Sequence, residues 1–198
     1  MIYKVKKDLK PKNLLEISEN QISDHWKLYE GYVSQVNKLN EELHELRKNG
    51  QVNSLIYSDR RRRYGFEYNG MILHEYYFEN LKSETKISIE GQFHSALIRE
   101  FGSLQSWQED FLAAGRSRGI GWTILYIDTK TNNLINNFIS EHENGHISGF
   151  SPILVMDVWE HAYMIDYKIW ERDKYIETFL KNVNWKVIEK RFEKIYSN

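Results

Sequence analysis

Cysteine is absent from the 198 residues, which excludes disulfides, thiolate metal sites and a cysteine nucleophile. A metal held by this chain must therefore sit on His, Asp or Glu. Excess charge is missing as well: the formal net charge is −1, which argues against a nucleic-acid partner and leaves room only for a local patch. No stretch approaches the ~20 apolar residues of a membrane span. The opening MIYKVKKDLKPKN carries charge but lacks the apolar core of a secretory signal, so the expected location is cytoplasmic, without a membrane partner. Internal repeats, linker-like tracts and low-complexity segments are also lacking.

What is present is the composition of a soluble globular protein, with 41% hydrophobic and 28% charged residues. Six Trp, thirteen Tyr and nine Phe suit either core packing or a lining of amphipathic rings around a buried site. Ser18 followed by Gln21 has the form of a capping box, and Ile22, Trp26, Tyr29, Val33, Val36, Leu39, Leu43 and Leu46 then recur at helical spacing up to the stop signal Asn49-Gly50. A second helix is expected from Arg60 to Leu81, antiparallel to the first. Shorter helices follow over Gly91 to Phe101 and Leu104 to Ala114. Gly119 to Ile127 and Leu134 to Ser140 read as a β-hairpin around the turn residues Thr129 to Asn133. Pro152 introduces the buried strand Ile153-Leu154-Val155-Met156, and the pattern turns helical at Asp157. Helices over Arg172 to Lys181 and Trp185 to Tyr196 close the chain. The expected fold class is α+β: an N-terminal antiparallel α-helical hairpin (1–85), then a C-terminal α/β domain (86–198) with a small three-stranded antiparallel sheet.

The segment Asp157-Val158-Trp159-Glu160-His161 puts a carboxylate at the end of a buried strand and an imidazole four residues on. Alone, this pair reads more readily as a helix N-cap and a packed core histidine. Two further histidines, His25 beside Trp26 and His74 between Leu73 and Tyr77, lie within apolar helical faces. Three imidazoles and a carboxylate form a nitrogen and oxygen donor set suited to iron, manganese or zinc. Spacing does not decide whether they converge.

Several segments resemble the iron/manganese superoxide dismutase family along nearly the full chain: Gly119-Ile120-Gly121-Trp122, PILVMDVWEHAYMIDY from Pro152, RDKYIETFLKNVNW from Arg172, and NGMILHEYYFENL from Asn69. The DVWEHAY block is highly specific for that family. The resemblance implies one iron or manganese ion per subunit, held between the two domains by His25, His74, Asp157 and His161 with solvent as a fifth ligand. It also implies superoxide as substrate, and a homodimer, or a tetramer of paired dimers, with Glu160 and His161 near the interface. Two features depart from the family pattern. The gateway tyrosine usually lies eight residues after the first histidine; here Tyr32 lies at plus seven, on the face that i, i+4 and i+7 share in a regular helix. A second histidine of that helix and a tyrosine paired with it across the dimer are replaced by Tyr29 and Met164, which removes both members of one hydrogen bond.

Gly70, four residues before His74, supplies no group to the solvent ligand, so His142 is expected to do so, with His146 as fallback. Tyr32 and His142 are then the candidate catalytic residues, and Trp122 and Trp159 the walls of the site. The run Arg60 to Arg63 is more often a solvated or partner-binding face than a device that steers superoxide. Competing readings are a two-histidine, one-carboxylate oxygenase and a metal-binding or interaction protein without dismutase turnover.

Overall fold

Ser18 begins the first helix as its sequence suggests, the hydroxyl oxygen accepting from the Gln21 amide at 3.0 Å. In the computed structural model, which describes residues 2–83 and 85–196, α1 runs Glu19–Lys48 and α2 Leu55–Glu79. Only half of the capping box forms. The Gln21 side chain turns away from Ser18 and bridges to His161 O (2.6 Å) and the Ile165 amide (3.0 Å), while the Ser18 amide donates to Asp166. One glutamine thus joins the start of α1 to the segment carrying His161.

The buried face of α1 holds Ile22, His25, Trp26, Tyr29, Val33, Val36, Leu39 and Leu43. Each large apolar side chain buried there stabilises the fold by about 1.5–3 kcal/mol, and the stripe packs along α2. That second helix starts five residues before the expected Arg60. Its N-cap is Ser54, whose hydroxyl oxygen accepts from the Tyr57 amide, and its first turn exposes Leu55 and Ile56 instead of burying them. An exposed apolar turn leaves no amphipathic rhythm to read.

Two short helices, α3 (Gln92–Phe101) and α4 (Leu104–Gly115), lead to β1 (Gly121–Asp128), β2 (Leu134–Ser140) and β3 (Phe150–Asp157), then α5 (Arg172–Lys181) and α6 (Trp185–Tyr196). The sheet order is β2-β1-β3, antiparallel throughout. β1 is central and buried along nearly its whole length. Its pairing with β3 slips between Leu125 and Tyr126, opposite the stretch that starts with Pro152. Proline offers no amide to the ladder, so an irregularity on an edge strand is where it fits. Gly121 opens β1 at φ 154°, and a Cβ there would meet Ile139 O at 1.9 Å. That close approach aligns Trp122 with Ile139 on one side and Asp157 on the other.

The expected helix at Asp157 does not form. Asp157 Oδ1 accepts from the Trp159 amide at 2.8 Å, an Asx-type turn that diverts the chain into a short 3₁₀ turn, Glu160–Ala162. His161 is delivered by this compact turn and not by an α-helix.

Candidate metal centre

Four elements bring the candidate ligands together: His25 from α1, His74 from α2, Asp157 from the end of β3 and His161 from the turn after it. One ligand atom from each lies within 4.8 Å of all the others. Asp157 Oδ2 is the common neighbour, 3.1 Å from His25 Nε2, 3.1 Å from His161 Nε2 and 3.8 Å from His74 Nε2. Nitrogen and oxygen donors at about 2.1 Å from a shared ion stand roughly 3.0–3.7 Å apart when their angles at it are 90–120°.

Hydrogen bonding orients the donors. His74 Nδ1–H donates to Gly70 O at 2.6 Å, which fixes the tautomer and leaves Nε2 as a bare acceptor. That Nε2 is fully buried without a hydrogen-bond partner. An orphaned imidazole nitrogen facing a carboxylate oxygen and two other imidazoles fits a metal ion, and the all-nitrogen-and-oxygen set fits iron or manganese. On the carboxylate, Oδ1 is held by the Trp159 amide and the Asp157 carbonyl accepts from Tyr175, which in turn pairs with Tyr77. Oδ2 alone faces the imidazoles.

The electrostatics agree. Burial works against the charged form of Asp157, yet the neighbouring His161 and His25 imidazoles, each 3.1 Å from Oδ2, outweigh it and hold the carboxyl well below its usual range. Burial pushes the His25 and His74 imidazoles down, so both favour the neutral form a ligand needs.

Around these four lies a second group. At the end of β2, Glu141 takes φ 55° and Ser140 bridges to Asn144, a tight reversal that carries His142 back over the sheet. His142 is fully buried, its Nε2 2.6 Å from Tyr32 OH and its Nδ1 3.0 Å from the Trp122 indole N–H. His146 is no substitute. It bonds to His142 O and to Tyr126 OH, supporting the loop. Trp122 packs edge-on to His74, with ring centres 5.0 Å apart, and Trp159 stacks on His161 at 5.6 Å and tilts against His142 at 5.0 Å. Both tryptophans wall the site as the sequence suggests, but the indole bond from Trp122 to His142 carries no sequence signature. The same is true of the Gln21 bridge and the Tyr77–Tyr175 pair.

Tyr32 reaches the site from a helix that stays α-helical from end to end, with no π turn. Its ring lies 5.0 Å from that of His74, and Gly70 makes room: a Cβ there would approach the Tyr32 ring to 2.7 Å. Tyr29, standing where the family's second histidine would, satisfies its hydroxyl within the chain. It donates to Glu75 at 3.0 Å and accepts from the Lys6 amide at 3.1 Å. Met164 is solvent-exposed.

A helical hairpin and a three-stranded sheet meeting at three imidazoles and one carboxylate define a mononuclear metal protein. Residues 89–191 match the family model for iron/manganese superoxide dismutases, C-terminal domain. The chain is 34% identical to the superoxide dismutase [Fe] of Aquifex pyrophilus over 194 residues, 96% of this chain and 90% of that protein. It is 32% identical to the superoxide dismutase [Fe] of Cupriavidus metallidurans over 196 residues, 97% of each. Identity to superoxide dismutase [Mn] 2 of Haloferax volcanii is 33% over 178 residues, 89% of this chain and 87% of that protein. The chain belongs to the iron/manganese superoxide dismutase family.

Proposed function

We propose that this protein is a superoxide dismutase whose single iron or manganese ion is held by His25, His74, Asp157 and His161. The observation that carries this reading is the convergence of those four side chains, from α1, α2, β3 and the turn after it, within 4.8 Å in a chain of this family. When bound, such a metal supplies one-electron chemistry, so that two superoxides and two protons become oxygen and hydrogen peroxide.

The chain's own residues handle the protons. The Trp122 N–H occupies His142 Nδ1, so the proton of neutral His142, assigned from this network, resides on Nε2 and is donated to Tyr32 Oη. Burial lowers the His142 pKa to about 4, which keeps the imidazole neutral at physiological pH. Burial, helped by the charges of Asp157 and Glu67, raises that of Tyr32, so the hydroxyl keeps its proton. Tyr32 accepts from His142 and has its own O–H left to donate. This makes Tyr32 the group that delivers protons at the mouth of the site; His142, with both ring nitrogens taken by Trp122 and Tyr32, holds Tyr32 in place instead of meeting the solvent ligand directly as the sequence suggests.

Cytoplasmic location and the division at residue 85 belong to the same proposal, supported by the composition and by the change of texture after α2. A homodimer with Glu160 and His161 close to the contact also belongs to it.

Elemental analysis and a superoxide-removal assay test the reading. The wild-type protein is expected to bind about one iron or manganese per chain and to turn over, and Asp157→Ala to lose both. Full metal occupancy in Asp157→Ala would reject the ligand set. Bound metal without turnover in the wild type would reject the activity.

A further inference from the structure

The four proposed ligands are not equally confined. His25 and His74 ride on long helices and Asp157 ends a strand, and all three side chains are fully buried. His161 stands on the three-residue turn Glu160–Ala162 and keeps 23% of its side chain exposed. A turn this short has few hydrogen bonds of its own to fix the chain that leaves it. The Met164 amide returns to Glu160 O at 3.0 Å, as one turn of α-helix would, but the Ile165 amide does not continue that ladder to His161 O.

Gln21 closes the gap. Where a helix would join the Ile165 amide directly to His161 O, the Gln21 side chain is inserted between them: its Nε2 donates to His161 O at 2.6 Å and its Oε1 accepts from the Ile165 amide at 3.0 Å. Both ends of one planar amide are used, and the residue is 1% exposed, so little water competes for either bond. Gln21 also lies one helical turn before His25 on the same buried face of α1. The stretch of helix that carries one ligand therefore grips the backbone of another. The rings of His25 and His161 stand 4.8 Å apart between centres, each with Nε2 3.1 Å from Asp157 Oδ2.

We propose that Gln21 is a positioning residue for the metal centre: spliced between His161 O and the Ile165 amide, it sets where the His161 imidazole stands relative to His25, and with that the coordination geometry and the retention of the ion. This rests on the ligand set put forward above, and not on the reaction. Bonds that orient a ligand without touching the metal change affinity by about 10–100-fold when they are removed, and a grip on the ligand's backbone instead of its ring belongs at the lower end of that range.

The test loads the protein with iron and follows two properties other than turnover: the electron paramagnetic resonance spectrum of the ferric form, and the rate at which phenanthroline strips iron from the reduced form. Gln21→Leu, which keeps the bulk and removes both bonds, is expected to release iron about tenfold faster and to shift the rhombicity of the ferric signal. Gln21→Met, unbranched like glutamine, should do the same, and it carries the test if Gln21→Leu fails to fold. Two controls separate positioning from stability. Ser18→Ala removes the cap of the same helix end, and Asp166→Ala removes the bond from the Ser18 amide that also ties this end to the segment after His161. Both should lower the denaturation midpoint while leaving the spectrum unchanged and the release rate within about twofold of wild type. A wild-type spectrum and release rate in both Gln21 variants, or equal shifts in the controls, would overturn the proposal. Failure of the wild type to take up iron, or full iron in Asp157→Ala, would remove the ligand set and the role of Gln21 with it. Iron-loaded wild type without dismutase turnover would reject the activity alone, and the two readouts would still decide whether Gln21 positions His161.

Discussion

A single histidine illustrates how burial sets protonation at this site. His142 sits among Trp122, Trp159, Phe66 and Tyr32, and removal from water lowers its pKa from the ordinary 6.5 to about 4. In the unfolded chain the same imidazole titrates near 6.5. Above that pH it is neutral in both states and costs nothing. Between pH 6.5 and 4 the unfolded state binds the proton and the folded state does not, so stability falls as pH falls through this window. The shift corresponds to about 3 kcal/mol at its low end. His25 and His74, lowered by the same cause, pull in the same direction. Urea denaturation of metal-free protein at pH 7.5, 5.5 and 4.5 should therefore show a steady loss of stability. In His142→Gln the loss should be smaller by roughly 1–3 kcal/mol. An identical pH slope in the two proteins would mean that His142 is protonated in the fold, contrary to the role assigned to it beside Tyr32.

Elements place these residues, and here the sequence speaks unevenly. α1 is legible because its buried stripe is long and regular, and the helix stays α-helical from His25 to Tyr32 with no π turn between them. The hairpin of β1 and β2 announces itself through β-branched runs around turn residues. The first turn of α2 is silent because its apolar residues face water, and the chain after Asp157 misleads because an Asx-type turn mimics the start of a helix. Among site residues, histidines in apolar faces could be flagged, whereas Trp122 bonding to His142 depends on strand register that composition does not encode. Two substitutions weigh these devices. Gly121→Ala sets a Cβ 1.9 Å from Ile139 O at a φ that side chains rarely take, so it should cost more than about 3 kcal/mol or prevent folding. Ser18→Ala removes one cap bond of α1 and should cost about 1 kcal/mol. Thermal or denaturant midpoints check both, and comparable costs would mean that β1 tolerates displacement at its entry.

At the scale of the whole molecule, the segment after His161 exposes apolar surface in a short span of chain. Met164, Ile165, Ile169 and Trp170 are 47%, 50%, 57% and 75% exposed. Isolated exposed apolar side chains are common, but four within seven residues, directly after Glu160 and His161, are more than a solvated surface requires. His161 itself keeps some exposure while its nitrogen faces Asp157, so the ligand set borders this surface. A second copy of the chain meeting here would cover the apolar span and the part of His161 that stays exposed. The proposed homodimer therefore predicts a stable dimer by sedimentation at micromolar concentration. A charge placed in the apolar span by Met164→Glu should weaken it by at least about tenfold, since an unpaired charge buried in a contact costs well over 1 kcal/mol. Metal content should fall with dissociation if shielding contributes to retention, and stay level if the four ligands suffice. A wild-type monomer at tens of micromolar, or a Met164→Glu protein that dimerises as tightly, would show that the contact lies elsewhere on the molecule.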